Sequence, residues 1–561
     1  MKASIPRLEI SMEQLQKLVE HARTGPLSEE EYSQLKAAIE TLGYLTLLME
    51  DQDTTIQRLR QILFGPKTET TEKILQQLGM NQEKNPRGEA GREEANSSAP
   101  GKDGAVSGSS GPGKGHGRNG AQAYGGGNKV RVPHAHLQPG QRCPECHKGK
   151  LYELNTPGLL VRVTGQAPLP AKVYELQKLR CNLCGEVYTA EPPEGVGPEK
   201  YDERAGSMVA MLKYGSGVPF KRLEKLQANL EVPLPASTQW EIAEGVAEVV
   251  APAYEELIRQ AAQGEVLYND DTKMRVLALM RESPPGAAEA AESKVNEEGI
   301  DPDRTGVFTS GIVSTREGKK IALFFTGRKH AGENLADVLA HRAAELGPPI
   351  QMCDALAANV SQDLQVIVAN CNLHGRRKFV EVAPNFPAEC RYVLETFRDL
   401  YKHEAQCRNQ QMTPEQRLAF HQAHSGPLME GLKEWMEKQF AELNVEPNSG
   451  LGKAIRYMQK HWPKLTLFLH KAGVPLDTNI VERTLKRAIL HRKNALFYRT
   501  ENGAAVGDLF MSLIHTCELH SVNAFDYLTA LQLHARELAR SPEEWMPWNF
   551  SDTRARLPTV A

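Results

Sequence analysis

Residues 264–279 read GEVLYNDDTKMRVLAL. An apolar, aromatic-rich run leads straight into two consecutive aspartates, so the stretch predicts a strand that delivers carboxylates to its end. Outward from it, GVFTSGIVST (306–315) and KKIALFFTG (319–327) predict two more strands joined by a tight turn. AGENLADVLAHRAAEL (331–346) has helical spacing, and PIQMCDA (349–355) and LQVIVANC (364–371) are short apolar runs. Three strands, a helix and two strands in that order predict a mixed α/β sheet. The polar, acidic stretch 281–305 (RESPPGAAEAAESKVNEEGIDPDRT) predicts a solvated loop between the first two strands.

The texture differs on either side of this sheet. Residues 376–470 predict nearly pure helix, an all-helical block interrupting the α/β region, and 479–494 and 502–540 predict further helices. Upstream, 201–262 predict helices broken at VPLPAS, with Ser237 as N-cap of a long helix. Such an arrangement suits a helix-turn-helix or a plain helical connector. Residues 130–200 carry short alternating runs and predict a small β-rich module, whereas 82–129 are dense in glycine with almost nothing to bury and predict a flexible linker. At the N-terminus, Leu35, Leu42, Met49, Ile56 and Leu63 recur every seven residues, the d-type seam of a coiled coil. Thr46, Asp53, Arg60 and Gly43 weaken that pattern, so a helical hairpin docking on its own chain fits too.

Composition narrows the function classes. The chain has 561 residues, with Lys+Arg 67 against Asp+Glu 70 and a formal net charge of −3. It cannot coat nucleic acid wholesale; any contact with DNA must come from local basic patches. No window of 18 apolar residues occurs, and the N-terminus lacks the apolar core of a signal peptide, so a cytoplasmic setting is expected. Nine cysteines, an odd number, argue against a disulfide scaffold.

Three motifs carry chemistry. Cys143-x2-Cys146 and Cys181-x2-Cys184 can each bring two thiolates to one tetrahedral ion, as in a zinc ribbon. The alternatives are two reduced turns or a redox dithiol. Cys353, Cys371, Cys390, Cys407 and Cys517 sit in apolar or helical contexts and read as packing residues. The second motif is acidic: Asp270 and Asp271 on the first strand, Asp354 ending PIQMCD, and Glu482 opening a later helix. Three acids from separate elements meeting at one sheet edge would form a hard-oxygen site for Mg²⁺ or Mn²⁺. Acids are also common at strand ends and helix N-termini, and spacing alone does not choose. The third motif, NIVERTLKRAILHRKNALFYR (479–499), surrounds the last acid with Arg483, Lys486, Arg487, Arg492, Lys493 and Arg499. Those cations suit a phosphate track or a salt-bridged surface helix. His374, Arg376 and Arg377 form a second cationic cluster at the start of the helical block.

With these stretches in view, the chain resembles the bacterial transposases of the insertion-sequence-66 type, a DDE family, over nearly its whole length. The segments that carry the resemblance are ILFGPKTE (62–69), CPEC, CNLC, KYGSGVPFKRLEKL (213–226), YNDDT, NCNLHGRRKF (370–379), PNSGLGKAIRYMQKHWPKLTLFL (447–469), LDTNIVERTLKRAILHRKNALF (476–497) and SLIHTCELHSVNAFDYL (512–528). Asp271 stands where the family usually has Glu, Ala355 begins ALAAN where a GY pattern is commoner, and Thr478 precedes Asn479 in place of a second Asn.

The resemblance implies an RNase H-like α/β catalytic core with an all-helical insertion between the second and third acids, preceded by an N-terminal coiled coil and a β-rich zinc ribbon. The divisions that follow are 1–81 (oligomerisation helices), 82–129 (linker), 130–200 (zinc ribbon), 201–262 (connector), 263–375 (core, first part), 376–470 (insertion), 471–545 (core, second part) and 546–561 (tail). It implies Asp270, Asp354 and Glu482 as catalytic ligands of two Mg²⁺ or Mn²⁺ ions, with Asp271 as the rival first ligand. Structural Zn²⁺ on Cys143, Cys146, Cys181 and Cys184 is implied as well. Lys486, Arg487, Arg492, Lys493, Arg376 and Arg377 are the expected phosphate contacts, with His374 in reserve for the site. The implied activity is strand cleavage at terminal inverted repeats and 3′-OH transfer into target DNA by a homo-oligomer, with element-encoded helper proteins admitted and nucleoid association expected. The rival readings are an inactive zinc-ribbon DNA-binding regulator derived from a transposase, and a two-metal nuclease without strand transfer.

Overall fold

The computed structural model describes residues 136–152, 166–180, 187–194, 197, 199–281, 306–360 and 365–556, with isolated positions between 21 and 35. The coiled-coil seam after Leu35, the 82–129 linker, the second cysteine pair and nearly all of the acidic 281–305 stretch lie outside them. The described residues fall into two compact units, one holding 369–477 and the other holding the described stretches of 136–368 together with 478–556.

In the second unit, strands β1 (Lys178–Arg180) and β2 (Val187–Thr189) form a short antiparallel pair. Three helical segments follow: α1 (Glu203–Ala210), continued by a π-helical turn at Met211–Gly215, α2 (Phe220–Asn229) and α3 (Ala236–Ala261). Helix α3 begins one residue before Ser237, with Pro235 as its N-cap. Pro235, at φ −56° and ψ 149°, sets the turn into the helix, so the expected Ser237 cap is instead a residue of the first turn.

The central sheet has five strands: β3 (Val266–Lys273), β4 (Phe308–Arg316), β5 (Lys319–Gly327), β6 (Ile350–Cys353) and β7 (Ile367–Asn370). Their spatial order is β5-β4-β3-β6-β7, with β3 antiparallel to β4 and parallel to β6. The stretch that opened the sequence argument is strand only to Lys273; Leu277–Arg281 turn into a short helix, α4. Helix α5 (Ala331–Leu339) crosses between β5 and β6, giving the mixed α/β layout that the strand order predicts and that is compatible with a DDE transposase core. Leu267, Ile312, Leu323, Phe324, Leu335 and Val338 are buried between sheet and helices.

After the 369–477 unit the chain returns as α11 (Asn479–Ala495), α12 (Glu501–Leu519), α13 (Ala524–Leu533), α14 (Ala535–Arg540) and α15 (Phe550–Arg556). Helix α12 protects the outer edge of the sheet by an uncommon device. The outward N–H groups of β5 at Ala322, Phe324 and Thr326 donate to Thr516 Oγ1 (3.1 Å), Ser512 Oγ (3.0 Å) and Asp508 Oδ2 (2.6 Å). Two strand residues rise about 6.6 Å and four helix residues about 6 Å, so side chains spaced by four match N–H groups spaced by two. The polar side chains take the place of a sixth strand and leave no bare edge there.

The unit holding 369–477 is helical: α6 (Asn372–Val382), α7 (Pro387–Asn409), α8 (Pro414–His424), α9 (Gly426–Ala441) and α10 (Gly450–Leu465). Phe379, Val393, Phe397, Leu400, Leu432, Met436, Ile455 and Met458 are buried in it. Asn372 Nδ2 donates to Leu465 O (3.0 Å) and Leu476 O (3.3 Å), tying the first turn of the unit to its last residues. The cysteines expected to pack are all buried: Cys353, Cys371, Cys390, Cys407 and Cys517.

Candidate functional site

Strand alternation sends Asp270 and Asp271 to opposite faces of the sheet. Across the β3–β4 ladder Asp270 pairs with Gly311, and Asp271 pairs with Ser310. Gly311 has a purpose there. A Cβ on it would come 2.9 Å from Leu485 and 3.3 Å from Val481, both on α11. The missing side chain lets α11 lie directly on the strand beside Asp270, and Glu482 follows Val481 on that helix. Val481 is buried with Val313 and Ala322, and Tyr268 and Ile480 pack against them.

Asp354 arrives from the other side. Strands β3 and β6 are parallel, with Val266 level with Ile350 and Tyr268 with Met352. The same offset carried two residues on sets Asp354 level with Asp270. The chain then folds into a 3₁₀ turn, Ala357–Asn359, whose last side chain links the two acids: Asn359 Nδ2 lies 2.7 Å from Asp354 Oδ1 and 3.4 Å from Asp270 Oδ1. Asn359 is itself held from below. Its backbone oxygen accepts from Asn269 Nδ2 (2.8 Å) and Gln351 Nε2 (2.7 Å), and Gln351 Nε2 also donates to Asn269 Oδ1 (3.0 Å). Asn269, Gln351 and Asn359 are buried, so this amide network is a rigid floor under the acids. On α11, Thr478 Oγ1 donates to Glu482 Oε1 (3.2 Å).

The electrostatics follow from this crowding. The Asp270 carboxyl is pushed up to about 7, first by burial and then by the nearby negative charges of Asp354, Glu482 and Asp271. Asp354 and Glu482 are half-buried as well, and each acts on the Asp270 carboxyl as a nearby negative charge. A divalent cation with hard-oxygen preference would relieve that repulsion, so the donor set fits Mg²⁺ or Mn²⁺.

Asp271 faces different partners. Ser310 Oγ (2.7 Å) and the Ala331 backbone N–H (3.0 Å) donate to its carboxylate, and His330 Nδ1 lies 2.9 Å from Oδ2. It anchors the start of α5. Neither Asn359, in the ALAAN stretch, nor Gly311, in the second strand, was given a role by the sequence reading. A glycine in the middle of an apolar strand is the one signal that could have pointed to the close helix approach.

The expected phosphate contacts divide into two sets. Lys486 and Lys493 are exposed on α11. Arg487 is committed within the molecule: it pairs with Glu518, and its Nη1 donates to Gly215 O (2.8 Å), docking α11 on the π-helical turn. Arg492 bonds Lys273 O and, at 3.3 Å, Thr272 Oγ1, bolting α11 to the end of β3. In the helical unit Arg376 is buried at 6% exposure, because α6 turns that face into its own core, while Arg377 is exposed. His374 lies on the first turn of the same helix.

Of the four cysteines read as zinc ligands, Cys143 and Cys146 are described and Cys181 and Cys184 are not. The first pair forms a tight knuckle. Cys143 N donates to Gly149 O (2.8 Å), His147 N donates to Cys143 O (2.9 Å), and His147 takes φ 52° to close the turn. Gly149 N donates to Cys146 Sγ (3.4 Å). That bond, with others from the Lys148 backbone and Cys143, holds the exposed Cys146 thiol below its ordinary range. Zinc is ligated by the thiolate form, which a lowered thiol favours.

Among the described residues, no helix is long and apolar enough to cross a membrane. Compared with known proteins, residues 200–506 match the family model described as "Transposase IS66 family". The chain is 23% identical over 430 residues to Uncharacterized protein y4jD of Sinorhizobium fredii (strain NBRC 101917 / NGR234), covering 74% of this chain and 79% of that one. From the same organism, Uncharacterized protein y4qI is 25% identical over 361 residues (62% of each chain). Uncharacterized protein y4hP is 29% identical over 222 residues, 37% of this chain and 39% of that one, so the matches span less than two thirds of the latter two relatives.

Proposed function

The chain belongs to the IS66 transposase family, and from that premise we propose that it is a DNA transposase whose RNase H-like core cuts and joins phosphodiesters with Asp270, Asp354 and Glu482. One observation carries the reading: Asp354 and Glu482, far apart in sequence, both bear electrostatically on the half-buried Asp270. The three carboxylates would hold two divalent cations, whose chemistry when bound is to activate an attacking oxygen and stabilise the leaving one.

The chain's own residues do the rest. Asn359 fixes the spacing of Asp270 and Asp354 through its amide. Thr478 orients Glu482, and Gly311 sets how closely α11 approaches. Exposed Lys486 and Lys493 attract the phosphate backbone. One phosphodiester replaces another in strand transfer, so no nucleotide cofactor is required. The cysteine knuckle, completed by Cys181 and Cys184 around Zn²⁺, together with the nearby helices would recognise the inverted repeats, and the N-terminal helices would pair protomers to hold two ends together.

The test is Mg²⁺-dependent cleavage of a labelled duplex taken from the DNA flanking the gene. Wild type is expected to nick the end and to yield a joined product with target DNA, and Asp354→Asn to yield neither. Equal product from both proteins would overturn the assignment. Nicking without any joined product would reduce the activity to that of a nuclease.

A further inference from the structure

Helix α11 ends abruptly. Leu496, which closes it, has φ 70° and ψ −42°, and Phe497 N donates to Ala495 O (2.9 Å). A hydrogen bond to the second residue back with positive φ is a γ-turn of the rare, strained kind, and no glycine relieves it. Bonds on both sides hold it in place. Tyr498 N donates to Arg275 O (2.9 Å) and Leu277 N to Tyr498 O (2.9 Å), and the buried Tyr498 ring stacks on His491 with centroids 4.5 Å apart. Arg492 ties the preceding turn to the end of β3, the strand that carries Asp270.

What this rigid turn presents is apolar. Leu496 is 61% exposed and Phe497 is 42% exposed. Exposed cations lead up to the pair: Arg483, Lys486 and Lys493 line one face of α11 at spacings of three and seven, and Arg499 follows the turn. Glu482 and Glu501 are the only acids from 478 to 507. A protein partner's interface is depleted of charge at its centre, whereas apolar side chains set among cations match a duplex, with phosphates outside and base faces within.

We propose that Leu496 and Phe497 are a wedge that enters the base stack of DNA lying along α11, with the Phe497 ring stacking on the base it unpairs. The inference rests on the transposase reading and deepens it. Fourteen residues of helix separate Glu482 from Leu496, about 21 Å or about six base pairs of duplex. The wedge would open the duplex at a fixed distance from the acids, which is how an enzyme without a sequence-reading contact at the cut could still place it.

The test uses the full chain and a duplex oligonucleotide forked at one end, with 2-aminopurine as the first paired base. Wild type is expected to bind and to raise the 2-aminopurine fluorescence. Phe497→Ala is expected to abolish the rise and to bind the fork about tenfold more weakly, while the slope of log affinity on log salt stays unchanged. Phe497→Trp is expected to restore both. Leu496→Gly, which relaxes the turn and deletes its side chain, should reduce the rise independently of how Phe497→Ala folds. If wild type binds with a cationic salt slope but both variants match it in fluorescence and affinity, the wedge is overturned and the transposase reading stands. If wild type binds no duplex, the transposase reading falls and the wedge with it. A change in the sedimentation of DNA-free protein on Phe497→Ala, with fluorescence intact, would instead assign the pair to contact between copies of this chain.

Discussion

Asp270 and Asp271 are neighbours on one strand, and the two faces of that strand treat them oppositely. Asp270 feels the negative charges of Asp354 and Glu482, and its Oδ1 accepts from the Asp271 backbone N–H (2.8 Å) and, weakly, from the Asn359 amide (3.4 Å). On the α5 face, Asp271 receives a hydroxyl and a backbone N–H and sits against His330. One carboxylate is crowded by its own kind and the other is satisfied. Asp508 sharpens the contrast. Its carboxyl is also pushed up to about 7, but by burial alone, opposed by its two bonds from Thr326. A raised carboxyl therefore does not mark a metal site; the presence of other acids does.

The largest expected effect separates the two neighbours by activity. Asp270→Asn should lower cleavage of a labelled element end by about a thousandfold or more, a barrier increase of about 4 kcal/mol. Asp271→Asn should stay within about tenfold of wild type. The reverse order would exchange their roles. Next comes pH. The Asp508 carboxyl is raised in the fold, so charging it opposes folding: its contribution is best below about pH 4, falls as pH rises to about 7, and is level above that. Asp508→Asn should remove up to about 4 kcal/mol of this pH dependence. Urea melts at about pH 5 and about pH 8 check it; the gain in stability of the variant over wild type should be larger at the higher pH.

Smaller effects probe the supports. Asp271→Ala leaves the Ser310 hydroxyl and the Ala331 N–H without their acceptor and should cost about 2–3 kcal/mol in the same melts. Gly311→Ala forces a Cβ against Leu485 and should cost about 1–2 kcal/mol. It should also reduce cleavage, because Glu482 moves with α11. Ser512→Ala, which orphans one N–H of the sheet edge, should cost about 1 kcal/mol and leave cleavage unchanged.

How legible this was in sequence depended on the range of the signal. Strands β3 to β7 and helix α5 were readable because apolar period and turn residues are local. The end of β3 was not, since MRVLAL is apolar enough for strand or helix and only the tertiary pairing of Val276 with Tyr498 decides. The choice between Asp270 and Asp271 was closed to the sequence for a similar reason. Alternation says that they face apart, but only Gly311 and the seat of α11 say which face matters. The cations of α11 look alike in the chain, yet Arg487 and Arg492 turn inward to Gly215 and Lys273, partners over 200 residues away. Asn359 carries no local signature, and its role comes from where the 3₁₀ turn sets it down.

The central claim is best tested by soaking crystals of the protein in Mn²⁺ and mapping its anomalous scattering. The account predicts density within bonding distance of the carboxylates of Asp270, Asp354 and Glu482, lost in Asp270→Asn and retained in Asp271→Asn. Manganese bound elsewhere, or bound at that edge with equal strength in Asp270→Asn, would contradict it.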